Sequence, residues 1–120
     1  MLKKKFSHNR QAIEKQIMHK VCLTVCDIAG IEPYEFYKDI ARSKNRYKLA
    51  WAKTCFIAIC KDVYQVRPQV LQSQFIRDDA AGTKTSYWIK RHKLLIADHP
   101  IYKTLYEEVL EDLQKVRGLK

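Results

Sequence analysis

Helix breakers are scarce in this chain, and they fall where they cut it into helix-length pieces. Of 120 residues only six are Gly or Pro, namely Gly30, Pro33, Pro68, Gly82, Pro100 and Gly118. Strand-rich folds need turn residues roughly every 8–12 positions, so this spacing argues against an all-β sandwich and for helices with short connections. At this length the chain reads as one domain, 1–120, with an apolar fraction of 47%, enough for a self-sufficient core.

The intervals between breakers are helix-periodic. Over 7–29 apolar residues recur at Ile13, Ile17, Val21, Val25 and Ile28, and Met18, Cys22 and Cys26 widen the stripe. The first half, with Gln11, Glu14, Lys15 and Gln16, reads as wet; Gly30 supplies the stop. Residues 1–7 read as a flexible basic start. Pro33 opens a short element over 33–38 carrying Tyr34, Phe36 and Tyr37. A basic loop over 41–45 precedes a long helix over 46–64, apolar on every face through 49–52 and 55–60 and therefore the expected pillar of the fold. Pro68 interrupts it and opens a short helix over 68–75 with Val70, Leu71 and Phe75 inward. After a loop over 77–82, Thr83 or Thr85 caps a helix reaching about Asp98, with Trp88, His92 and Leu95 facing the core. His99-Pro100 breaks it, and a last amphipathic helix over 101–116 buries Leu105, Val109, Leu110 and Leu113. The pattern predicts an all-α protein, a compact bundle of five to six helices containing a helix-turn-helix.

Charge separates the function classes. Lys and Arg number 23 against 13 Asp and Glu, a net charge of +10, and the excess is clustered. Arg42, Lys44, Arg46, Lys48 and Lys53 form one acid-free stretch; Lys84, Lys90, Arg91 and Lys93 form another. The last helix is balanced, with Glu107, Glu108, Glu111 and Asp112 against Lys103, Lys115 and Arg117. Such clustering is the footprint of a polyanionic partner.

Signs of catalysis are sparse. There is no phosphate-binding Gly-rich loop, no H-E-x-x-H and no G-x-S-x-G, so no enzyme, nucleotide, metal or other cofactor is expected. Cys22, Cys26, Cys55 and Cys60 have helical-face spacings within apolar surroundings and read as buried thiols. His8, His19, His92 and His99 fall at no ligand spacing, and Asp78-Asp79 reads as a solvated loop. No apolar run approaches a membrane span, and Lys3-Lys4-Lys5 runs into Phe6-Ser7-His8-Asn9-Arg10 rather than the core of a secretion signal. A cytoplasmic location and no membrane partner are the expectation.

The helix beginning near Thr83 has the chemistry of a recognition element. Thr83, Lys84, Thr85 and Ser86 put hydroxyls, an ammonium and free backbone N–H groups at its N-terminal end, suited to phosphate oxygens and thymine methyls. Tyr87, Lys90, Arg91 and Lys84 lie opposite the predicted core face, and Lys93 follows.

This layout resembles the C-terminal DNA-binding domain of the bacterial replication initiator DnaA, over nearly the whole chain. Ala41-Arg42-Ser43-Lys44-Asn45-Arg46-Tyr47-Lys48-Leu49-Ala50-Trp51-Ala52-Lys53 is similar to the family's basic loop and helix, S-K-x-R followed by A-R-Q. The stretch from Gly82-Thr83-Lys84-Thr85-Ser86-Tyr87 to Leu94 corresponds to the recognition helix that opens D-H-[ST]-[ST]-V in the family. The Asp-His pair is replaced here by Thr83-Lys84 or Lys84-Thr85, and the family's motor domain has no counterpart, so ATP hydrolysis is not implied. The resemblance implies a Trp-repressor-like helix-turn-helix that binds double-stranded DNA sequence-specifically as a single module, in replication or transcription control, including that of a mobile element. Arg42, Lys44 and Arg46 would hold backbone or minor groove, Lys48 and Lys53 phosphates, and Thr83, Lys84, Thr85, Ser86, Tyr87, Lys90, Arg91 and Lys93 the major groove and its rims. A helical adaptor binding an acidic protein is the alternative. A single-strand or RNA binder would need stacking tyrosines, and Tyr34, Tyr37, Tyr47 and Tyr87 read rather as core or rim packing. No coiled-coil heptad appears, so a monomer is the default, with a homo-oligomer open.

Overall fold

In a computed structural model of the chain, residues 2–37, 46–74 and 85–118 are described, with side chains over 10–36, 47–71 and 86–115. The element order is α1 (Leu2–Ala29), a 3-10 turn (Pro33–Tyr37), α2 (Arg46–Ala58) continuing as a π-helical turn (Ile59–Val63), α3 (Pro68–Gln74), α4 (Thr85–Asp98) and α5 (Pro100–Gly118). The fold is an all-α bundle of five helices, with no strand among the described residues.

The helix ends follow from local chemistry. Gly30 takes φ +74, and the Ile31 N–H donates to the Cys26 carbonyl at 2.9 Å, a Schellman closure with buried Ile31 packed over the last turn. The long helix that begins at Arg46 does not stay α-helical. From Ile59 it widens, Tyr64 N–H reaching the Ile59 carbonyl at 3.2 Å and Val66 N–H the Cys60 carbonyl at 2.8 Å. Gln65 closes this wider turn at φ 57, the left-handed region in which side-chain-bearing residues are disfavoured. At the other end, α1 begins at Leu2 rather than near Ser7, since no breaker separates Leu2 from the rest of the helix.

The core sits around α2. Leu49, Ala52, Cys55, Phe56, Ile57, Ile59 and Cys60 are essentially closed to solvent, as their all-round apolar pattern predicts. α1, α4, α5 and the 3-10 turn all pack on this helix, and Phe36 meets Phe56 edge-on at 5.2 Å between ring centroids. Val70 and Leu71 from α3, Trp88 and Leu95 from α4, and Val109 and Leu113 from α5 complete the core as predicted; Phe75 lies outside the described residues. All four cysteines are buried free thiols. Burial pushes the Cys55 and Cys60 thiols up, and the Cys22 thiol together with burial does the same to Cys26.

The inward face of α1 differs from the predicted row. A strict four-residue spacing drifts about 40° per step on a helix with 3.6 residues per turn, which carries Ile13 out to solvent while Val25 stays buried. Glu14 takes the inward position instead, 4% exposed where a wet residue was expected. Its carboxylate accepts the Arg67 backbone N–H at 2.8 Å and the guanidinium at 2.8 and 3.1 Å, with Arg10 at 3.9 Å. Arg67 is also the residue whose carbonyl accepts the first N–H bonds of α3, from Val70 and Leu71. One carboxylate on α1 thereby fixes where α3 starts. Burial alone would raise the Glu14 carboxyl, but the Arg67 bonds and charge outweigh it and hold the group below its ordinary range.

Candidate nucleic-acid interface

α4 presents two contrasting sides. Trp88, His92 and Leu95 are buried, with Ile89 and Ile96 packed against the core, which matches the predicted inward face. Ser86, Tyr87, Lys90, Lys93 and Leu94 are exposed. The outward face thus carries a hydroxyl, a phenol and two ammonium groups over its first nine residues with no acid among them, until Asp98 at its end.

α4 is held by a polar contact in an otherwise aromatic layer. His92 Nδ1 lies 2.7 Å from the Tyr102 hydroxyl, and the His92 ring also packs on Tyr102 and Tyr106 at centroid distances of 5.6 and 4.6 Å. Burial lowers His92 below the ordinary imidazole range, outweighing the pull of Asp62, with Lys93 acting in the same direction as burial. Burial likewise keeps the Tyr102 phenol protonated well beyond its usual range.

The candidate site residues singled out from the sequence divide into four groups. Ser86, Tyr87, Lys90 and Lys93 share the exposed face of α4. Arg91 does not join them. It is half-buried on the flank, and its Nε is shut off from solvent with no hydrogen-bond partner, because a residue one position past Lys90 is turned about 100° toward the core. Lys53 is half-buried on α2 and engaged within the protein. Arg42, Lys44, Thr83 and Lys84, together with the loop holding Asp78-Asp79, lie outside the described residues; Arg46 and Thr85 are described as helix starts but not as side chains.

Lys48 stands apart. α2 runs antiparallel to α4, with Trp51 beside the α4–α5 corner, 6.0 Å from the His99 ring, and Asp62 at the other end close enough to act on His92. Lys48 is one turn before Trp51, so it belongs to the corner rather than to the N-terminal end of α4, about 20 Å along a helix of this length. Its ammonium reaches the C-terminal end of α1, 3.9 Å from where a Cβ on Gly30 would stand, a position favoured for a cation by the carbonyls there.

Tyr34 and Tyr47 are exposed, Tyr47 by 80%, which corrects the core reading for them, whereas Tyr87, 45% exposed, packs at the rim, edge-on to Trp88 at 5.6 Å between ring centroids. The tyrosine buried among the described residues is Tyr102, which nothing in its sequence neighbourhood sets apart from the others. No group of three His, Cys, Asp or Glu among the described residues could hold a metal ion, and no described helix is long and apolar enough to cross a membrane. No family model, curated protein or solved structure matches the chain.

Proposed function

We propose that the protein binds double-stranded DNA, with α4 as the recognition helix. The observation that carries this reading is the exposed face of α4, where Ser86, Tyr87, Lys90 and Lys93 stand together without an acid on a chain of net charge +10. A helix enters the major groove with its N-terminal residues on base edges and its cations on flanking phosphates, and Ser86 and Tyr87 come first along this face with Lys90 and Lys93 behind them. Thr83, Lys84 and Thr85 extend the same chemistry in the sequence at the start of α4, and Arg42, Lys44 and Arg46 at the start of α2. The resemblance to the DnaA domain makes replication or transcription control, including that of a mobile element, the process in which such a module would act. The reading requires neither a catalytic step nor a cofactor, and it places the protein in the cytoplasm.

One feature favours a different partner. Leu94, 65% exposed on the same face, offers an apolar contact that a protein surface uses more readily than a phosphate backbone does. The second reading is therefore an adaptor in which α4 docks on an acidic protein.

Fluorescence anisotropy with random duplex, single-stranded DNA and RNA across a salt series tests both. Duplex binding whose logarithm falls with the logarithm of salt at a slope of about −5 or steeper, as six phosphate contacts require, supports the DNA reading. Flat curves for all three nucleic acids overturn it and leave the adaptor.

A further inference from the structure

The corner that holds Lys48 contains a cleft of about 400 Å³ between the end of α1, the start of α2 and the first half of α5. Ile28, Trp51, Ile101 and Leu105 form its apolar walls, and Lys48 and Glu108 are charged groups on its border. Three features of this cleft bear on what fills it.

First, Ile101 is 73% exposed at the cleft while Trp51 is only half-buried, so the site combines an apolar projection with an apolar recess. Second, Lys48 and Glu108 carry opposite charges, and neither has an ion partner among the described residues. Third, acids concentrate along α5, the helix that brings Glu108 to the cleft. Glu107, Glu108, Glu111 and Asp112, four of the thirteen acidic residues, fall within six positions of α5. Two copies of a chain with net charge +10 repel one another everywhere except where acids offset the excess, and α5 is the described helix that supplies them.

We propose that this cleft is the contact face of a symmetric homodimer. In a two-fold contact the same patch serves both copies, so every interaction occurs twice. Lys48 of each copy meets Glu108 of the other, and Ile101 of each enters the recess walled by Trp51 and Leu105 of the other. A single patch bearing both members of an ion pair, and both a projection and a recess, is self-complementary. Ile101 and Glu108 are seven residues apart on α5, hence on one side of it and about 10 Å apart along the axis, which gives the two-fold contact its register. A contact confined to one cleft and the helix ends around it is at the small end for a specific interface, and a micromolar dimer is what the test below is set to detect. The inference stands apart from the DNA reading, and its test contains no nucleic acid.

Sedimentation velocity from about 1 µM to about 500 µM spans the range in which a micromolar dimer assembles. The expected result is a shift from the 14.2 kDa chain to twice that mass, with Trp51 emission moving to the blue over the same concentrations. Ile101→Glu and Lys48→Glu each weaken the dimer at least tenfold. Both positions are exposed, and native circular dichroism spectra confirm that each variant still folds, the Lys48→Glu melt being lowered only by the cation lost from the end of α1. The double exchange Lys48→Glu with Glu108→Lys restores dimerisation to within threefold of the parent. A chain that stays monomeric throughout overturns the proposal, as does a double exchange no tighter than its singles. One-to-one binding of 1-anilinonaphthalene-8-sulfonate in the cleft of a persistently monomeric chain also overturns it, and assigns the cleft to a small amphipathic anion.

Discussion

His92 and Tyr102 are joined through Nδ1 and the phenol oxygen at 2.7 Å, both side chains closed to solvent, and this bond fastens the hidden side of α4 to the start of α5. With the imidazole neutral and its proton on Nε2, the phenol is the donor. Protonating the ring reverses the bond, Nδ1–H donating to the phenol oxygen, but puts a charge inside an aromatic layer, so burial favours the neutral state.

The pH dependence follows from that. His92 titrates below its unfolded value of about 6.5, so over the window beneath 6.5 the unfolded chain binds more protons than the folded one. Stability is therefore full above about pH 7 and falls as the pH drops through 6.5 toward the folded value. Thermal melts at pH 7.5, 6.5 and 5.5 should show a declining Tm in the parent and a flat one in His92→Phe over the same range. Equal slopes in the two proteins would remove His92 as the cause. Tyr102→Phe leaves Nδ1 buried without a donor and should cost about 1–3 kcal/mol at pH 7.5.

Glu14 controls the acid limb at lower pH. Its folded pKa lies below the ordinary glutamate value of 4.5, so its contribution is present above that value and is lost as the pH falls through the folded one. Glu14→Gln keeps the shape but removes the charge that Arg67 and Arg10 face, and should destabilise the protein by about 1.5–3 kcal/mol at neutral pH, the range for hydrogen bonds to a charged group. Urea titrations at pH 7 and pH 3 check it: the difference between parent and variant should shrink at the lower pH.

Two left-handed positions should respond in opposite directions to the same kind of change. Gln65 closes the π-helical turn at φ 57, where a Cβ is strained, so Gln65→Gly should stabilise by about 0.5–1 kcal/mol even after the added freedom of glycine in the unfolded chain. Gly30 at φ +74 already uses glycine's freedom, and Gly30→Ala should destabilise by about 1 kcal/mol, its Cβ having room beside Lys48 but not the backbone it prefers. Denaturant midpoints for the two variants, moving up and down respectively, give the measurement.

Much of the bundle was legible because period and punctuation agree. The starts and stops at Gly30, Pro33, Arg46, Pro68 and Pro100 fall where breakers and apolar rows place them, and Trp88, His92 and Leu95 face inward as their spacing dictates. Two of the misses share one physical origin, long-range pairing that periodicity does not encode. Glu14 read as solvated because its partner, Arg67, is 53 residues away and only the packed fold brings them together. Tyr102 looked no different from the exposed tyrosines, since nothing in its neighbourhood in sequence announces His92. The π-helical turn at Ile59–Val63 keeps the predicted helix length but not its hydrogen-bond pattern, a difference of one residue per turn below the resolution of an apolar pattern. At the candidate interface, Lys90 and Lys93 share the outward face of α4, whereas Arg91 and Lys48 follow geometry that charge clustering along the chain does not convey.

That division yields the sharpest check on the DNA reading. If α4 lies along DNA by its exposed face, Lys90→Ala and Lys93→Ala each remove one phosphate contact, weaken every duplex to a similar extent and reduce the salt slope by about 1, with little change in Tm. Tyr87→Ala, nearer the N-terminal end, should instead compress the difference between preferred and random duplex. Arg91→Ala should behave differently again. Its Nε is enclosed and its stem packs on the core flank, so its loss lowers Tm as well as binding, and the two effects separate when affinity is measured well below the melting transition. Anisotropy salt series on the four variants, each paired with a melt, distinguish these outcomes. Lys90 and Lys93 variants that bind every duplex like the parent would take the DNA surface off α4.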